Sequence, residues 1–426
     1  MTERVFQIVP RAQNYAWGKI GSQSKVAELV SNTYRNISID SNKNYAELWM
    51  GTHPNAPSIK MSTGENLKDV VLANPELLTP NIAAKYNGDL PFLFKVLSIQ
   101  KALSIQAHPD KKLAEHLFRK YPNIYKDSNH KPEMAIALTP FEALCGFRPL
   151  QDIKKCLKEY PEIVKVIGED IVNQFNSTID ENLFSSRYHE KCKYALKRLY
   201  GSLMEQDQKV VKEQLSKLIQ RISKEDPNPA KGSLNEVLKR IEAQYPGDIG
   251  VFSILLLNYV FLKPGEGIYL AADEPHAYIS GDCIECMATS DNVVRAGLTP
   301  KFKDVNTLVN MLTYNCKSAD NQIVRGVPYM NSRTTTLYNP PIEEFSILCT
   351  TLSSSSKRME SFRGFRGPSI ILVTEGNGLI MCNGKCFSAR KGSIYFIGAN
   401  TPITLESLSG KTTFYRAYTE LLKSKL

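Results

Sequence analysis

The chain has 426 residues, more than one ordinary compact domain holds, and a rule of about 150 residues per domain suggests two or three. Its 42% hydrophobic and 23% charged residues lie near the globular average and exclude a disordered or fibrous chain. The longest apolar stretch, Val251 to Leu262, is broken by Ser253 and Asn258, which excludes a bilayer-spanning helix. The net charge of +10 comes from scattered lysines, with no basic run alternating with aromatics. That pattern describes a solvated basic surface rather than a nucleic-acid or membrane partner, and it is compatible with an anionic small substrate. No N-terminal targeting pattern precedes Val5-Phe6-Gln7-Ile8-Val9, so a soluble intracellular protein is expected. Nine cysteines are then expected to be free thiols.

In chain order, residues 1–149 consist of short apolar runs punctuated by Pro, Gly and Asn, such as Leu90-Pro91-Phe92-Leu93-Phe94. They read as mainly β with a few helices. Residues 150–245 change character: Leu215, Leu218, Ile219 and Ile222 follow the helical i, i+3, i+4, i+7 spacing. The Asp226–Gly232 segment separates two such helices. Residues 246–325 return to strands and turns, so the helical segment is expected to be inserted into a β domain. Residues 326–426 form a last β unit, in which Asn383-Gly384 marks a hairpin turn between Cys382 and Cys386.

A faint repeat links the two β units. Pro264-Gly-Glu-Gly-Ile-Tyr-Leu-Ala-Ala-Asp-Glu-Pro275-His276 is similar to Lys391-Gly-Ser-Ile-Tyr-Phe-Ile-Gly-Ala-Asn-Thr-Pro402-Ile403. Each copy reads as turn, strand, turn and proline, the pattern in which cupin jelly rolls deliver a metal-binding histidine. The expected fold is therefore mainly β with two cupin-like jelly-roll barrels and an inserted helical segment, with metal competence in the first barrel only. Ile403 cannot ligate.

Four stretches could carry chemistry. In Ser104-Ile-Gln106-Ala-His108, alternation puts Ser104, Gln106 and His108 on one face and the apolar residues on the other. In His130-Lys131-Pro132-Glu133-Met134, Pro132 disfavours a helix, so Lys131 and Glu133 share a face opposite His130. In Pro275-His276-Ala-Tyr278, His276 and Tyr278 share a strand face just after a turn. Gln106, His108, Glu133 and His276 together offer two neutral nitrogens and two oxygens, a set that suits one zinc ion per chain with a position left for substrate. The fourth stretch places Glu285 in an apolar run and Arg295 after two valines, and Lys95 stands in a similar apolar run. A buried carboxylate of this kind is either paired or functional, while the Lys95 stem could also snorkel its ammonium to water. Cys283 and Cys286 have metal-like spacing, but on a strand they point to opposite faces and cannot share an ion.

The blocks Tyr15–Gly18, Tyr45–His53, Leu90–Lys111, Asp127–Pro149 and Lys263–Lys301 resemble the signature segments of type I phosphomannose isomerases. Ala-Leu-Ser-Ile-Gln-Ala-His-Pro-Asp and Asp-Asn-Val-Val-Arg-Ala-Gly-Leu-Thr-Pro-Lys carry most of that resemblance. It implies the same four zinc ligands, Arg295 as the catalytic arginine, and interconversion of mannose 6-phosphate and fructose 6-phosphate through an enediol, feeding mannose activation and GDP-mannose supply. Glu285 and Lys131 become the candidate proton-shuttling bases, and Lys95, Ser104 and Lys301 the candidate phosphate contacts. Trp17 and Tyr278 are expected on the substrate side. Two other classes fit parts of the sequence: an iron cupin oxygenase, which leaves the Lys and Arg anomalies unexplained, and a non-catalytic sugar-phosphate sensor, which needs neither Arg295 nor Glu285. A monomer in the cytoplasm is expected, with the C-terminal Ser424-Lys425-Leu426 offering a peroxisomal address as the alternative.

Overall fold

The computed structural model describes residues 2–33, 38–180, 185–355 and 357–421. The terminal Ser424-Lys425-Leu426 lies outside the described residues.

The architecture is two large antiparallel sheets, of 11 and 10 strands, with a block of helices packed on the first. The first sheet is organised by one 13-residue strand, His276–Ala288. Its first half pairs with Phe141–Phe147, and His276 sits in register with Gln106. Its second half lies between Phe92–Ile99 and Glu133–Ala137. The change of neighbours coincides with Gly281, whose φ is +112° and where a Cβ would lie 2.5 Å from the Pro140 carbonyl oxygen. Only glycine fits such a close approach at positive φ.

Alternation along these strands explains why they are buried on both faces. Leu97, Ala135, Tyr278 and Cys283 point into the first barrel. Val96, Met134, Ile284 and Cys286 point the other way, into a core shared with Phe345, Ile370, Phe396 and Tyr415 of the second sheet. Each such buried aliphatic or aromatic side chain contributes about 1.5–3 kcal/mol, so the contact between the barrels is a core rather than a loose interface. Cys283 and Cys286 fall on opposite faces as expected, and none of the nine cysteines is joined in a disulfide.

The helices run from Leu150 to Gln244, with a short last turn at Gly250–Ser253. In the Gln208–Glu225 helix, Val211, Leu215, Leu218 and Ile222 form the buried stripe. Asp207 and Ser233 cap that helix and the next, Leu234–Gln244, by accepting backbone N–H groups. The longest helix has no window apolar enough to cross a membrane.

The second sheet contains the hairpin foreseen at Asn383-Gly384, both at positive φ. It also contains a strand from the far end of the chain: Val5–Val9 pairs with Tyr395–Ile397. Ile403 opens the 16-residue strand Ile403–Tyr418 and is buried in the apolar interior of the second barrel. It opens that strand as His276 opens the His276–Ala288 strand of the first sheet.

Candidate metal and substrate site

The site lies at the end of the first barrel where the Ile105–Ala107 strand crosses His276. The Asp110 side chain accepts the Leu113 N–H at 2.7 Å and caps the Lys111–Lys120 helix. That cap turns the chain away directly after His108 and leaves its ring in the barrel. Pro275 brings His276 in at the start of its strand. Glu133 enters from the neighbouring strand, in register with Leu270 and Met287.

The three side chains converge. Nε2 of His108 and Nε2 of His276 each lie 3.5 Å from Glu133 Oε2. The two rings are 5.0 Å apart, and the three ligating atoms fall within 4.8 Å of one another. His108 Nδ1 is 2.7 Å from the Asn292 carbonyl oxygen and His276 Nδ1 is 3.0 Å from that of Glu274. A carbonyl oxygen only accepts, so each Nδ1 carries a proton, and in the neutral ring Nε2 presents a lone pair. Both Nε2 atoms are buried without a hydrogen-bond partner. Burial pushes His108 down to about 4 against the pull of Glu133, which keeps the ring neutral. Burial opposes ionisation of Glu133, but the groups around it, Lys131 among them, hold its carboxyl well below the usual range. Two imidazoles oriented through their far nitrogens, facing a buried carboxylate, fit a zinc ion. Gln106, the expected fourth ligand, stands in register between His276 and Arg295, and its Oε1 is 3.4 Å from Ser104 Oγ.

The other sequence candidates divide into those the fold brings to this cluster and those it sets apart. Lys131 joins it, with Nζ 3.4 Å from Glu133 Oε1. The pair is not the surface ion pair that its exposed-looking sequence allows. Glu285 and Lys95 are direct cross-strand partners, and Lys95 Nζ lies 3.1 Å from Glu285 and 3.7 Å from Glu47. Lys95 therefore does not snorkel to water. Burial alone would lower its ammonium, but Glu285 and Glu47 raise it and keep it charged. Glu285 is raised, chiefly by burial, with Lys95 opposing. Tyr278 is buried near Glu285, and burial raises its phenol well above the ordinary value. Arg295 is half-buried, and burial pushes its guanidinium downward; no ion pair is found for it among the described residues. Trp17 stacks on Tyr15 with ring centroids 5.9 Å apart. Lys301 is exposed in the loop after Thr299, whose hydroxyl accepts the Lys301 N–H at 3.1 Å.

Sequence reasoning assigned no role to a second group here. His53 is buried, lies edge-on to Trp49 at 5.0 Å, and has Nε2 3.4 Å from Asp291 Oδ1. Trp49 Nε1 donates to Glu47, the partner of Lys95. Asn292 was also passed over. Its side chain donates to the carbonyls of Asp127 at 2.7 Å and Asn129 at 3.0 Å, while its own carbonyl holds His108. The signal available was the Tyr45–His53 block, where Glu47, Trp49 and His53 recur at two- and four-residue spacings in an otherwise apolar run.

The chain is similar to known proteins over nearly its whole length. Profiles for the phosphomannose isomerase type I catalytic domain, helical insertion domain and C-terminal region match residues 5–150, 166–257 and 336–385. The mannose-6-phosphate isomerase of Schizosaccharomyces pombe is 45% identical, covering 96% of this chain and 98% of that protein. The Saccharomyces cerevisiae enzyme of the same name is 43% identical over 99% and 100%. The apo form of mannose 6-phosphate isomerase from Salmonella typhimurium superposes with a TM-score of 0.80 at 31% identity, covering 99% of this chain and 100% of that one. A mannose 6-phosphate isomerase crystallised with zinc and yttrium matches equally well, with a TM-score of 0.80 and 31% identity over 98% and 100%.

Proposed function

Because the chain belongs to the type I phosphomannose isomerase family, we propose that it interconverts mannose 6-phosphate and fructose 6-phosphate at this cluster. Zinc would be held by Gln106, His108, Glu133 and His276. The observation that carries the proposal is the pair of orphaned Nε2 lone pairs aimed, with a buried carboxylate, at one point. When bound, the metal supplies Lewis acidity toward the sugar's carbonyl and hydroxyl oxygens.

The remaining work falls to the chain's own residues. A proton must leave C2 of the open-chain aldose and return at C1 by way of an enediolate. Glu285 and Lys131 are the candidate bases within the barrel, Lys131 only in the form that has given up its ammonium proton. The raised carboxyl of Glu285 brings its proton affinity closer to the operating pH, and Lys95 keeps a positive charge opposite it. Arg295, with no carboxylate to neutralise it, is free to stabilise negative charge as the enediolate forms. Ser104, Lys301 and Lys95 are assigned to the phosphate. Lys95 is already engaged by two carboxylates, so most of that load falls on Ser104 and Lys301. Trp17 and Tyr278 flank the sugar.

The product pair puts the enzyme at the supply of mannose for activation to GDP-mannose, and we place it in the cytoplasm. A punctate image that turns diffuse on removing Ser424 to Leu426 would move it to the peroxisome. The activity itself is tested by assaying mannose 6-phosphate turnover before and after chelation. Loss on chelation and recovery with zinc are expected; full turnover by metal-free protein overturns the proposal.

A further inference from the structure

We propose that Glu344, a residue of the C-terminal unit, is a positioning residue for the site in the first barrel: it holds His130, and through it the Lys131 ammonium, against Glu133. This rests on the function proposed above and adds a role for the unit that carries none of the proposed zinc ligands.

The segment Asp127–Pro132 leads into the Glu133–Ala137 strand. Its first half is tied firmly to the loop after the long strand. The Asp127 carboxylate accepts from Ser290 Oγ and from the Asp291 N–H, both at 2.8 Å. Asn292 Nδ2 donates to two carbonyls of the segment, and Asn129 Nδ2 donates to the Thr289 carbonyl at 3.0 Å. The second half has fewer ties: the Pro132 carbonyl accepts the Ala288 N–H at 3.1 Å, where the segment meets its strand. Among the described residues His130 and Lys131 make no backbone hydrogen bond, and Pro132 has no N–H to give. Before that bond, His130 and Lys131 are fixed by two side-chain contacts. One is Lys131 with Glu133, at 3.4 Å. The other is His130 Nε2 with Glu344 Oε1, at 2.6 Å.

Glu344 is itself well anchored. Its successor Phe345 is buried in the core between the barrels. The carbonyl of Glu343 accepts from Thr419 Oγ1 at 3.0 Å, and the Glu343 carboxylate pairs with Lys85. The Glu344 carboxylate is buried; burial would raise it, but His130 holds it below the usual range and keeps it an ionised acceptor. A short hydrogen bond to an ionised acceptor is about twice as strong as a neutral one. His130 and Lys131 are adjacent and point to opposite sides, so an anchor on His130 sets the backbone from which Lys131 reaches Glu133. A displacement of about 1 Å in a group of this kind can slow a reaction about 100-fold.

The test uses the full zinc-loaded chain and compares Glu344→Ala, Glu344→Gln, His130→Ala and the double alanine variant. Glu344→Ala is expected to lower kcat by about 10- to 100-fold, with KM changed far less and zinc content unchanged. Glu344→Gln keeps an acceptor oxygen and should recover most of the rate. The double variant should be no slower than either single one, because both remove the same bond. In protein labelled with 15N-histidine, the His130 ring N–H should be protected in the wild type and lost in Glu344→Ala. This signal does not depend on turnover, so a wild-type chain inactive on mannose 6-phosphate would overturn the assigned reaction and leave the contact separately testable. Should Glu344→Ala not fold, His130→Ala breaks the bond from the other side and carries the same expectation. Unchanged kcat, additive losses in the double variant, loss of zinc along with rate, or a ring N–H indifferent to Glu344 each overturns the positioning role.

Discussion

The two barrels begin their longest strands alike: Pro275 leads into His276–Ala288 and Pro402 into Ile403–Tyr418. The first residue of each strand is buried. In the first barrel it is an imidazole whose Nδ1 is pinned to a carbonyl and whose Nε2 has no partner. In the second it is a branched alkyl chain packed among Phe362, Leu405 and other apolar groups. The interiors differ accordingly. The first contains Lys95, Glu133, Glu285 and the two histidines, and burying so many charges is costly unless they pair or bind something. The second, among the described residues, is filled by apolar and aromatic side chains and buried hydroxyls such as Thr350 and Thr412, together with Arg416. One strand-turn-strand frame thus gives a site when polar groups replace its core and a stable partner domain when they do not.

The largest test of this contrast is the pair His276→Ala and Ile403→Ala. Removing His276 takes one of four ligands from the proposed cage, so zinc content should fall toward zero and turnover to background. Removing the Ile403 side chain should cost about 2–5 kcal/mol of stability while zinc content and kcat per folded molecule stay unchanged. Metal analysis and thermal melts on both variants read this directly. The wild type should carry one zinc per chain, and a second tightly bound ion would break the contrast.

Next in size is Arg295. Its charge should matter most when the enediolate forms, so Arg295→Ala should lower kcat by about 10²- to 10³-fold with a smaller change in KM. Steady-state kinetics checks it: an effect confined to KM would move Arg295 to phosphate binding.

Much of the site was legible because its signals are local. Gln106 and His108 alternate with Ile105 and Ala107, Pro132 breaks any helix around Glu133, and His276 follows a turn and a proline. The faces of Cys283 and Cys286 follow from strand periodicity alone. The helical stripe of Leu215, Leu218 and Ile222 is equally local. What could not be read depends on distant pairing. Nothing in Val5–Val9 points to a partner at Tyr395–Ile397, and nothing in Lys95 points to Glu285 and Glu47 rather than water. The contact of Asp291 with His53, and of Glu344 with His130, joins segments more than 200 residues apart. Such contacts leave no trace in composition or period, because they are set by which strands the fold places side by side.

The smallest expected effect belongs to Arg416, the charged residue inside the second barrel. It is buried on the face of Phe365, 4.2 Å from the ring centroid. Its Nε donates to Ser369 Oγ at 3.0 Å, and its Nη1 has no partner. Burial without a carboxylate in contact pushes its guanidinium downward. Burying an unpaired ion costs several kcal/mol. The stacking returns about 2 kcal/mol and the hydrogen bond about 1.5–3 kcal/mol, so the terms nearly cancel. Arg416→Met keeps the length and the contact with Phe365 while removing the charge and the orphaned donor. Thermal melts should therefore show stability unchanged or raised by about 1–2 kcal/mol, with zinc content, kcat and KM as in the wild type. That outcome would mark the arginine as a tolerated part of a structural core. A fall in kcat with zinc retained would instead show that the second barrel reaches the reaction through its interior, and the division between the two barrels would no longer hold.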